Sequence, residues 1–443
     1  MIKRVVTVLL WLLAPAFIFV SGNFYDPYLG MMRGWGDVAL LVGELAGIGI
    51  LFGCGYWRRG GIAGKLLILV WCLPPLAMAS ATTVFHLRKY AVLHAEGKRA
   101  QELGRHFIVG YSSFDDIAPL AAKGLIGGVY VTRHNIEGRA DALRSEIASL
   151  QAMRSAAGLP PLIVAVDQEG GIVSHMSPPL TSLPALATLA ALPTAERSAK
   201  AEEFGRIHGR ELAGLGINLN FAPVVDLLRS EAPNPLDFNS HISRRAISGD
   251  PEVVTAIAAA YARGLESQGV EATVKHFPGL GRIREDTHHF RADLNTPIAE
   301  LDASDWLPFR RVLAGSSAYL MVGHVAVTAI DSERAASHSK RVINDLIRNQ
   351  WGYQGIITTD DLVMGPVYEY GVCASVVEAL NAGVDLLLVA YDGLQFYRMY
   401  SCALDASTAG RLDETMLKNS LARLSSKTLS PANGRISSNS AAP

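Results

Sequence analysis

The stretch GIITTDDLVMG, residues 355–365, begins as a short β-branched run and ends in two adjacent carboxylates, Asp360 and Asp361. A run of this length that follows a glycine is typical of a strand buried on both faces. Successive side chains of a strand point to opposite faces, so only one of the two carboxylates can serve a site at the end of the strand. The stretch therefore predicts a buried strand that delivers one aspartate to the edge of a sheet.

Seven further runs of similar composition lie between residues 105 and 390, and amphipathic helical stretches separate them. This alternation is typical of repeated βα units and a parallel sheet. The runs are FIVGY (107–111), GGVYVTR (127–133), PLIVAVD (161–167), INLNFAPVVD (217–226), EATVKHF (271–277), AYLMVGHV (318–325) and VDLLLVA (384–390).

Polar residues at the carboxyl ends of these predicted strands favour a barrel over an open sheet. A (β/α)8 barrel brings such ends together at one mouth, whereas an open sheet spreads them along a crevice. No GxGxxG or GxxxxGK[ST] motif follows any run, which argues against a nucleotide-binding sheet. The sequence thus predicts an α/β fold with a (β/α)8 barrel. The polar residues are Asp167, Asp226, Lys275, His276, His324 and Asp360.

The N-terminal region is far more apolar than the rest and predicts a membrane anchor. It holds three apolar stretches, each near the ~20 residues that cross a bilayer, at 5–20, 38–56 and 66–85. Lys3 and Arg4 precede the first stretch and no A-x-A cleavage site follows it, so we expect it to be retained. We predict a membrane-anchoring region over residues 1–90 with about three transmembrane helices. The alternative is a set of buried core helices in a soluble protein.

Basic residues are balanced on the two sides of these stretches, so the first helix decides the predicted orientation. Its basic tip favours a cytoplasmic N-terminus, and three spans then place the large domain outside the cytoplasm. We expect the protein in a cytoplasmic membrane, with the large domain over residues 100–425. The tail, 426–443, is rich in Ser, Asn, Pro and Ala and is predicted to be disordered.

Charge and cysteine content restrict the partners. Lys and Arg number 40 and Asp and Glu 41, so no global field favours nucleic acid, and a neutral small-molecule substrate fits this balance. Nothing in the sequence fixes the oligomeric state; a monomer is the simplest expectation. No cluster at metal-ligand spacing calls for a metal or a cofactor. We read the four cysteines as buried small hydrophobic residues and not as disulfide partners; they are Cys54, Cys72, Cys373 and Cys402.

Three segments point to a specific chemistry: VDQEGGIVSHM (166–176), VKHFPGLGRIREDTHHF (274–290) and GIITTDDLVMG (355–365). Together they resemble the family 3 glycoside hydrolases, and within them the bacterial β-N-acetylhexosaminidase branch. The resemblance covers about residues 105–425 and excludes the membrane region. It implies a TIM-type barrel and a retaining, exo-acting glycoside hydrolase.

Hydrolysis with retention needs one carboxylate to attack the anomeric carbon and a second group to protonate the leaving oxygen. The resemblance implies Asp360 as the nucleophile. In the hexosaminidase branch the proton comes from a histidine on a flexible loop, oriented by an aspartate two residues earlier, which implies His288 and Asp286 here. The loop contains Gly279 and Gly281, which suits a mobile acid. His289 is an adjacent alternative.

The resemblance also implies a set of sugar-binding residues. Lys275 and His276 would bind sugar hydroxyls, although a lone K-H pair is more often a core histidine beside a solvated lysine. Arg245 would line the sugar site, with a surface salt bridge as its alternative role and Arg244 as a competitor. The implied residues are Asp167, Lys275, His276, Arg245 and Arg133.

Three departures from the family pattern leave the substrate open. Ile172 and His175 stand where the family has arginines, and Leu280 stands where a histidine is usual. Losing a bidentate cation changes which groups the pocket can hold. The leading hypothesis is a β-N-acetylglucosaminidase or hexosaminidase acting on cell-envelope saccharides of the peptidoglycan type through a glycosyl-enzyme intermediate. The alternatives are a β-glucosidase or β-xylosidase, and a catalytically silent, membrane-tethered sugar-binding protein.

Overall fold

The computed structural model describes residues 2–137, 139–229 and 239–428. Contacts within the chain divide it into two units, and the division falls between Ala95 and Glu96. The first unit is helical and the second is α/β.

The first unit is a bundle of helices held by apolar packing and a few interhelical hydrogen bonds. Its interior includes Leu51, Leu67 and Trp71, and the Trp71 Nε1–H donates to the Leu10 carbonyl over 3.0 Å. Ser21 Oγ donates to Glu44 Oε1 over 2.5 Å. The helices are Ile2–Gly22, Trp35–Gly53, Tyr56–Arg59, Gly61–Trp71 and Leu73–Leu93, with a 3-10 turn at Pro27–Met32.

Three helical segments of this unit are long and apolar enough to cross a bilayer: Arg4–Gly22, Trp35–Gly53 and Gly61–Leu93, with mean hydropathy 2.3, 1.7 and 1.9. They fall on the three predicted apolar stretches. The proline pair at 74–75 lies in the first turn of Leu73–Leu93, where a missing N–H costs nothing. Leu12, Phe19 and Leu69 are each more than 60% exposed, so the outer surface is apolar.

We predict that the full-length protein fractionates with membranes and resists extraction by high salt, because three apolar spans bury far more surface in lipid than ionic contacts do. A shortened chain that begins near residue 100 is the control and is expected to stay soluble. Recovery of the intact protein in the aqueous phase after salt washing would contradict the prediction.

The second unit is built on one parallel sheet of eight strands. Each strand lies within one of the eight runs recognised in the sequence, which confirms the predicted α/β class. The strands are β1 (Phe107–Gly110), β2 (Gly128–Tyr130), β3 (Ile163–Val166), β4 (Leu219–Asn220), β5 (Thr273–Phe277), β6 (Tyr319–Val322), β7 (Ile357–Asp361) and β8 (Leu386–Val389).

The strand order is β4-β3-β2-β1-β8-β7-β6-β5, so the first strand pairs with the last and neighbours in the chain are neighbours in the sheet. The two edges come close: isolated parallel bridges join Leu219 to Glu271 and Val224 to Lys275. The sheet is therefore nearly closed, and the carboxyl ends of all its strands lie on one side.

Helices return the chain from each strand to the next. Glu414–Thr428 includes residues 426–428 of the predicted tail, and residues 429–443 lie outside the described part of the chain. The helices are Lys98–Gly104, Phe114–Lys123, Arg133–Ile136, Ala140–Ala156, Ala187–Ala190, Thr194–Leu215, Ile242–Arg245, Pro251–Glu266, Ile298–Ala303, Leu307–Ala314, Gly365–Tyr370, Val372–Ala382, Phe396–Thr408 and Glu414–Thr428, with a π-helix at Arg341–Gln350 and 3-10 turns at Ala336–His338 and Gly393–Gln395.

Side chains from alternate strands fill the interior of the sheet. They include Ile108, Tyr130, Ala165, Leu219, Phe221, Tyr319, Met321, Leu386 and Leu388. Two short strand pairs lie outside the main sheet: the hairpin Gln168–Gly170 with Val173–Ser174, and the parallel pair Ala292–Leu294 with Val325–Val327. The hairpin turns through Gly170 and Gly171, whose φ values of 92° and 63° are left-handed, so glycine is required there.

The prediction for the cysteines is wrong for one pair. Cys373, in Val372–Ala382, and Cys402, in Phe396–Thr408, form a disulfide with a Cα–Cα distance of 5.1 Å. The two residues are 29 positions apart and show no local motif, so only the packing of the two helices brings them together. Cys54 is exposed and Cys72 is half-buried, so neither is a fully buried residue as predicted.

Candidate active site

The carboxyl side of the sheet gathers most of the residues singled out in the sequence. Asp167 directly follows β3, Lys275 and His276 lie in β5, and Asp360 lies in β7. Tyr130, at the end of β2, donates its hydroxyl to Asp167 Oδ2 over 2.7 Å. The strand ends thus place polar groups from four different strands around one centre, as the topology requires.

Buried charges form the floor of this site. The Lys275 ammonium contacts the Asp167 carboxylate and lies 2.7 Å from Glu169 Oε1. Arg245 donates two hydrogen bonds to the Glu169 carboxylate, from Nη2 to Oε1 over 2.6 Å and from Nε to Oε2 over 3.0 Å. The Lys275 side chain is only 2% exposed and that of Glu169 only 7%. Two cations therefore neutralise two carboxylates that have little contact with water.

The electrostatics of this cluster follow from its pairing. Burial raises the pKa of the Glu169 carboxyl, but Arg245 and Lys275 overcome this and lower it to about 2. Burial lowers the pKa of the Lys275 ammonium, but Asp167 and Glu169 outweigh it and raise the pKa above its ordinary value. Glu169 and Lys275 therefore both stay charged at neutral pH, and Arg245 adds a second fixed cation.

Arg245 is largely saturated by protein contacts. Beyond the two bonds to Glu169, its Nη1 donates to the Ser240 carbonyl over 2.8 Å, and Nη2 lies 3.4 Å from His276 Nε2. A guanidinium has five N–H donors, and most of them are used here. The structure places Arg245 beside the predicted sugar site, where it organises Glu169 and His276. The sequence alternative of a surface salt bridge is wrong, because the arginine side chain is only 9% exposed.

The buried carboxylate of Asp226 orients the His276 ring. Its Nδ1 lies 2.8 Å from Asp226 Oδ2, and the same carboxylate accepts the backbone N–H of Leu280 over 2.7 Å. The Leu280 side chain, which stands where the family pattern has a histidine, is buried. The His276 ring is thereby oriented with Nε2 toward Arg245.

The two aspartates at the end of β7 have different surroundings. Burial raises the pKa of the Asp360 carboxyl, but the imidazoles of His276, His324 and His288 outweigh it and hold the pKa below its ordinary value. Asp361 instead accepts backbone N–H groups from the chain after β8, those of Ala390 and Tyr391, each over 2.9 Å.

Burial raises the pKa of the Asp361 carboxyl to about 6, even though the donated N–H groups act in the opposite direction. Asp360 is therefore the more readily ionised member of the pair. Asp361 ties the ends of β7 and β8 together, and its oxygens are occupied by the backbone.

The two residues predicted as the acid/base pair, His288 and Asp286, contact each other. His288 Nδ1 lies 3.0 Å from Asp286 Oδ1, which also accepts the His288 backbone N–H over 3.1 Å. The Asp286 side chain is fully buried, whereas that of His288 is 38% exposed. The two glycines before this pair have different roles: Gly279 has a left-handed φ of 106°, and a Cβ at Gly281 would lie 1.9 Å from the Leu227 carbonyl oxygen.

The remaining predicted residues lie at the rim. Arg133 is exposed and donates from Nη2 to the Ser174 carbonyl over 3.3 Å, so it contacts the hairpin and lies outside the charge cluster. The His175 ring lies edge-on to Tyr130, with ring centroids 6.4 Å apart, and Ile172 is 42% exposed. In residues 2–137, 139–229 and 239–428, no group of three or more His, Cys, Asp or Glu is arranged to hold a metal ion.

Residues 101–426 match the family model described as the N-terminal domain of glycosyl hydrolase family 3. The chain belongs to this family. The resemblance seen in the three sequence segments is thereby confirmed, and with it the prediction that the chain is a glycosidase that hydrolyses O-glycosyl bonds.

Curated relatives and solved structures agree with this placement. The chain is 37% identical over 273 residues to the "Beta-hexosaminidase" of Stenotrophomonas maltophilia K279a, covering 61% of this chain and 77% of the relative. It is 36% identical over 268 residues to the "Beta-hexosaminidase" of Pseudomonas aeruginosa LESB58, covering 60% and 76%. A family 3 β-N-acetylglucosaminidase structure from Paenibacillus sp. superimposes with a TM-score of 0.68 at 31% identity. The match covers 78% of this chain but only 65% of that longer chain.

Four residues of this family 3 site were not among the predicted site residues: Glu169, Tyr130, Asp226 and His324. Asp226 and His324 had been noticed only as polar strand ends. The sequence signal for Glu169 was present in D-Q-E-G-G, because a carboxylate two residues after Asp167 returns to the same side of an extended chain. His324 lies behind β7, with Nε2 3.0 Å from the Asp361 carbonyl.

We expect Glu169→Gln to lower the free energy of unfolding by about 3–5 kcal/mol at neutral pH, because it leaves Arg245 and Lys275 buried without their shared counterion. The stabilisation by Glu169 is complete above its ordinary pKa of 4.5 and is lost as the pH falls toward about 2, so the difference between the two proteins should vanish there. Denaturant unfolding of the shortened chain at successive pH values measures this.

Glu203→Gln is the matched control, since Glu203 forms an exposed pair with Lys200. It should change the stability by less than about 1 kcal/mol. Equal stability of wild type and Glu169→Gln at neutral pH would show that the cluster does not support the site.

Proposed function

We propose that the protein is a retaining, exo-acting β-N-acetylglucosaminidase or hexosaminidase that acts on cell-envelope saccharides of the peptidoglycan type through a covalent glycosyl-enzyme intermediate. One observation carries the proposal. The ionised Asp360 carboxylate lies among three imidazoles, and one of them, His288, is paired with a fully buried carboxylate. A nucleophile and a proton donor of this kind are the two groups that retention needs.

In the first step Asp360 attacks the anomeric carbon and the bond to the leaving oxygen breaks, while protonated His288 gives its Nε2 proton to that oxygen. Asp286 accepts the Nδ1–H and stabilises the imidazolium from which the proton leaves. In the second step neutral His288 takes a proton from water, the water oxygen attacks the anomeric carbon, and the bond to Asp360 breaks. His288 returns to its protonated form and Asp360 to its carboxylate.

The fixed charges explain how a neutral sugar is held. Asp167 is 19% exposed, more than Lys275 or Glu169, so it is the carboxylate of the cluster best placed to accept sugar hydroxyls. Lys275 and His276 are the proposed ligands of neighbouring hydroxyls; Arg245 reaches Lys275 through Glu169 and lies 3.4 Å from His276 Nε2. Arg133 is the outermost of the predicted ligands. A buried polar site of this kind discriminates strongly against sugars that lack a matching hydroxyl.

The location proposed is the inner membrane of a bacterium, with the catalytic unit on the extracytoplasmic side. The three apolar helices support the anchor. The Cys373–Cys402 disulfide supports the extracytoplasmic location, because disulfides persist in oxidising compartments and are rare in the cytosol. Substrates on that side of a bacterial membrane include the saccharides of the cell envelope.

The nucleophile is tested by paired substitutions at the end of β7. Asp360→Asn should reduce turnover by at least about a thousandfold while leaving sugar binding intact, because an amide cannot attack the anomeric carbon. Asp361→Asn is the matched control, and since its carboxylate serves the backbone after β8, it should lower stability more than chemistry. Steady-state kinetics with an aryl β-N-acetylglucosaminide measure both. A larger loss of turnover for Asp361→Asn than for Asp360→Asn would show that Asp360 is not the nucleophile.

The proton donor is tested by leaving-group dependence. His288→Ala should slow glycosides with poor leaving groups severely and activated aryl glycosides much less in the first step, since only the former need a proton. Activated substrates should then show a burst followed by slow release, and azide should restore turnover as a β-glycosyl azide. Equal slowing of every substrate with no effect of azide would make His288 a structural residue.

The orientation is tested with a C-terminal reporter enzyme that is active only outside the cytoplasm. We expect an active reporter, and we expect Cys373 and Cys402 to resist thiol labelling in protein isolated without reductant. A silent reporter together with labelled cysteines would place the catalytic unit in the cytoplasm.

A β-glucosidase or β-xylosidase activity is the second candidate. It is favoured by one observation: His175, which lies edge-on to Tyr130, and the exposed Ile172 replace the arginines of the family pattern and alter what the pocket can hold. A panel of nitrophenyl glycosides separates the two candidates through their kcat/KM values.

A further inference from the structure

The turn that bears the acid/base pair is held from two other loops of the carboxyl side. From the loop after β7, the Gly365 backbone N–H donates to the His288 carbonyl over 2.7 Å. From the chain between β4 and β5, the Asn239 backbone N–H donates to Asp286 Oδ2 over 3.1 Å. Asp286 therefore uses one oxygen for His288 and the other for Asn239.

The Asn239 side chain makes a second contact with the same turn. Its Nδ2 lies 2.7 Å from His289 Nε2, a hydrogen bond in which the amide donates to the neutral ring. The two adjacent histidines thus have different partners, because His288 contacts Asp286 and His289 contacts Asn239. Asn239 therefore contacts the turn at two points, the Asp286 carboxylate and the His289 ring.

Asn239 is itself connected to the buried charge cluster. The next residue, Ser240, accepts the Arg245 Nη1–H at its carbonyl over 2.8 Å, and Arg245 is locked onto Glu169 by two bonds. Hydrogen bonds join Glu169 to Arg245 and Arg245 to the Ser240 carbonyl, and Ser240 is the next residue after Asn239 in the chain. Asn239 in turn bonds to Asp286 and His289, so the cluster is connected to the acid/base turn.

The position of His288 depends on such anchors. Its side chain is 38% exposed, so packing restrains the ring less than it restrains the fully buried Asp286. A proton donor must stay within hydrogen-bonding distance of the leaving oxygen, and small displacements of such a group cost rate.

We propose that Asn239 is a positioning residue for the acid/base histidine, and that it couples the sugar-side charge cluster to the Asp286–His288 pair through its bond to His289. The proposal rests on the proposed function of His288 as acid/base. Asn239 touches neither the substrate nor the reacting atoms, so it acts through the geometry of the turn.

The kinetic test uses Asn239→Ala and His289→Ala in the full-length protein in detergent. Each should lower kcat for a glycoside with a poor leaving group by about 3- to 10-fold, the loss expected from one hydrogen bond, with little change in KM. Activated aryl glycosides should be slowed less in the first step. The double variant should lose less than the sum of the two single losses, because both substitutions remove the Asn239–His289 bond. His289→Gln, which keeps an acceptor, should retain more activity than His289→Ala.

Asn295→Ala is the control, since the Asn295 amide accepts the Thr328 hydroxyl on a neighbouring loop, and it should leave kcat unchanged. Additive losses that are equal for all leaving groups would overturn the proposal.

Hydrogen exchange of the backbone amides over residues 286–290 provides a readout independent of catalysis. Asn239→Ala and His289→Ala should both accelerate exchange there, and Asn295→Ala should not. If the wild type hydrolyses no glycoside, the proposed function fails, and faster exchange alone would still establish the anchor. Unchanged exchange in both variants would overturn the anchor even if the protein is an active glycosidase.

Discussion

The buried Glu169 carboxylate, shared between Arg245 and Lys275, is the constraint on which the rest of the site depends. Ion pairs with so little water contact are costly unless every group is paired, and here each of the two cations reaches Glu169. Through Lys275 the cluster fixes Asp167, and through Arg245 it fixes His276 and the Ser240 carbonyl. Strands β3 and β5 and the chain between β4 and β5 are thereby joined at one point on the carboxyl side of the sheet.

The same arrangement assigns different chemistry to groups that look alike in sequence. Asp360 and Asp361 are neighbours, yet imidazoles surround the first and backbone N–H groups occupy the second. His288 and His289 are also neighbours, and Asp286 orients only the first in the contacts described. In both cases the direction of the side chain decides the role, and the fold sets that direction through anchors on adjacent strands.

Much of the second unit follows from sequence because its strands are short, β-branched runs, and the polar residues at their ends have to meet in a parallel sheet. The disulfide was not predictable, since Cys373 and Cys402 meet only after two helices pack together. The bond from Arg245 to Glu169 and the contact from Asn239 to His289 could not be predicted from the sequence either, because each joins segments more than 45 residues apart. Sequence patterns identify residue types at strand ends, whereas long-range hydrogen bonds decide which of them face the substrate.

The central claim is that Asp360 forms a covalent bond to the sugar. Incubation with a 5-fluoro β-N-acetylglucosaminyl fluoride, in which fluorine slows release of the intermediate, followed by proteolysis and mass spectrometry, locates that bond directly. The account predicts one sugar per chain, attached to Asp360 in the peptide that contains residues 355–365, and no adduct on Asp361. A sugar attached to any other residue, or turnover of the reagent with an overall inversion of configuration at the anomeric carbon, would contradict it.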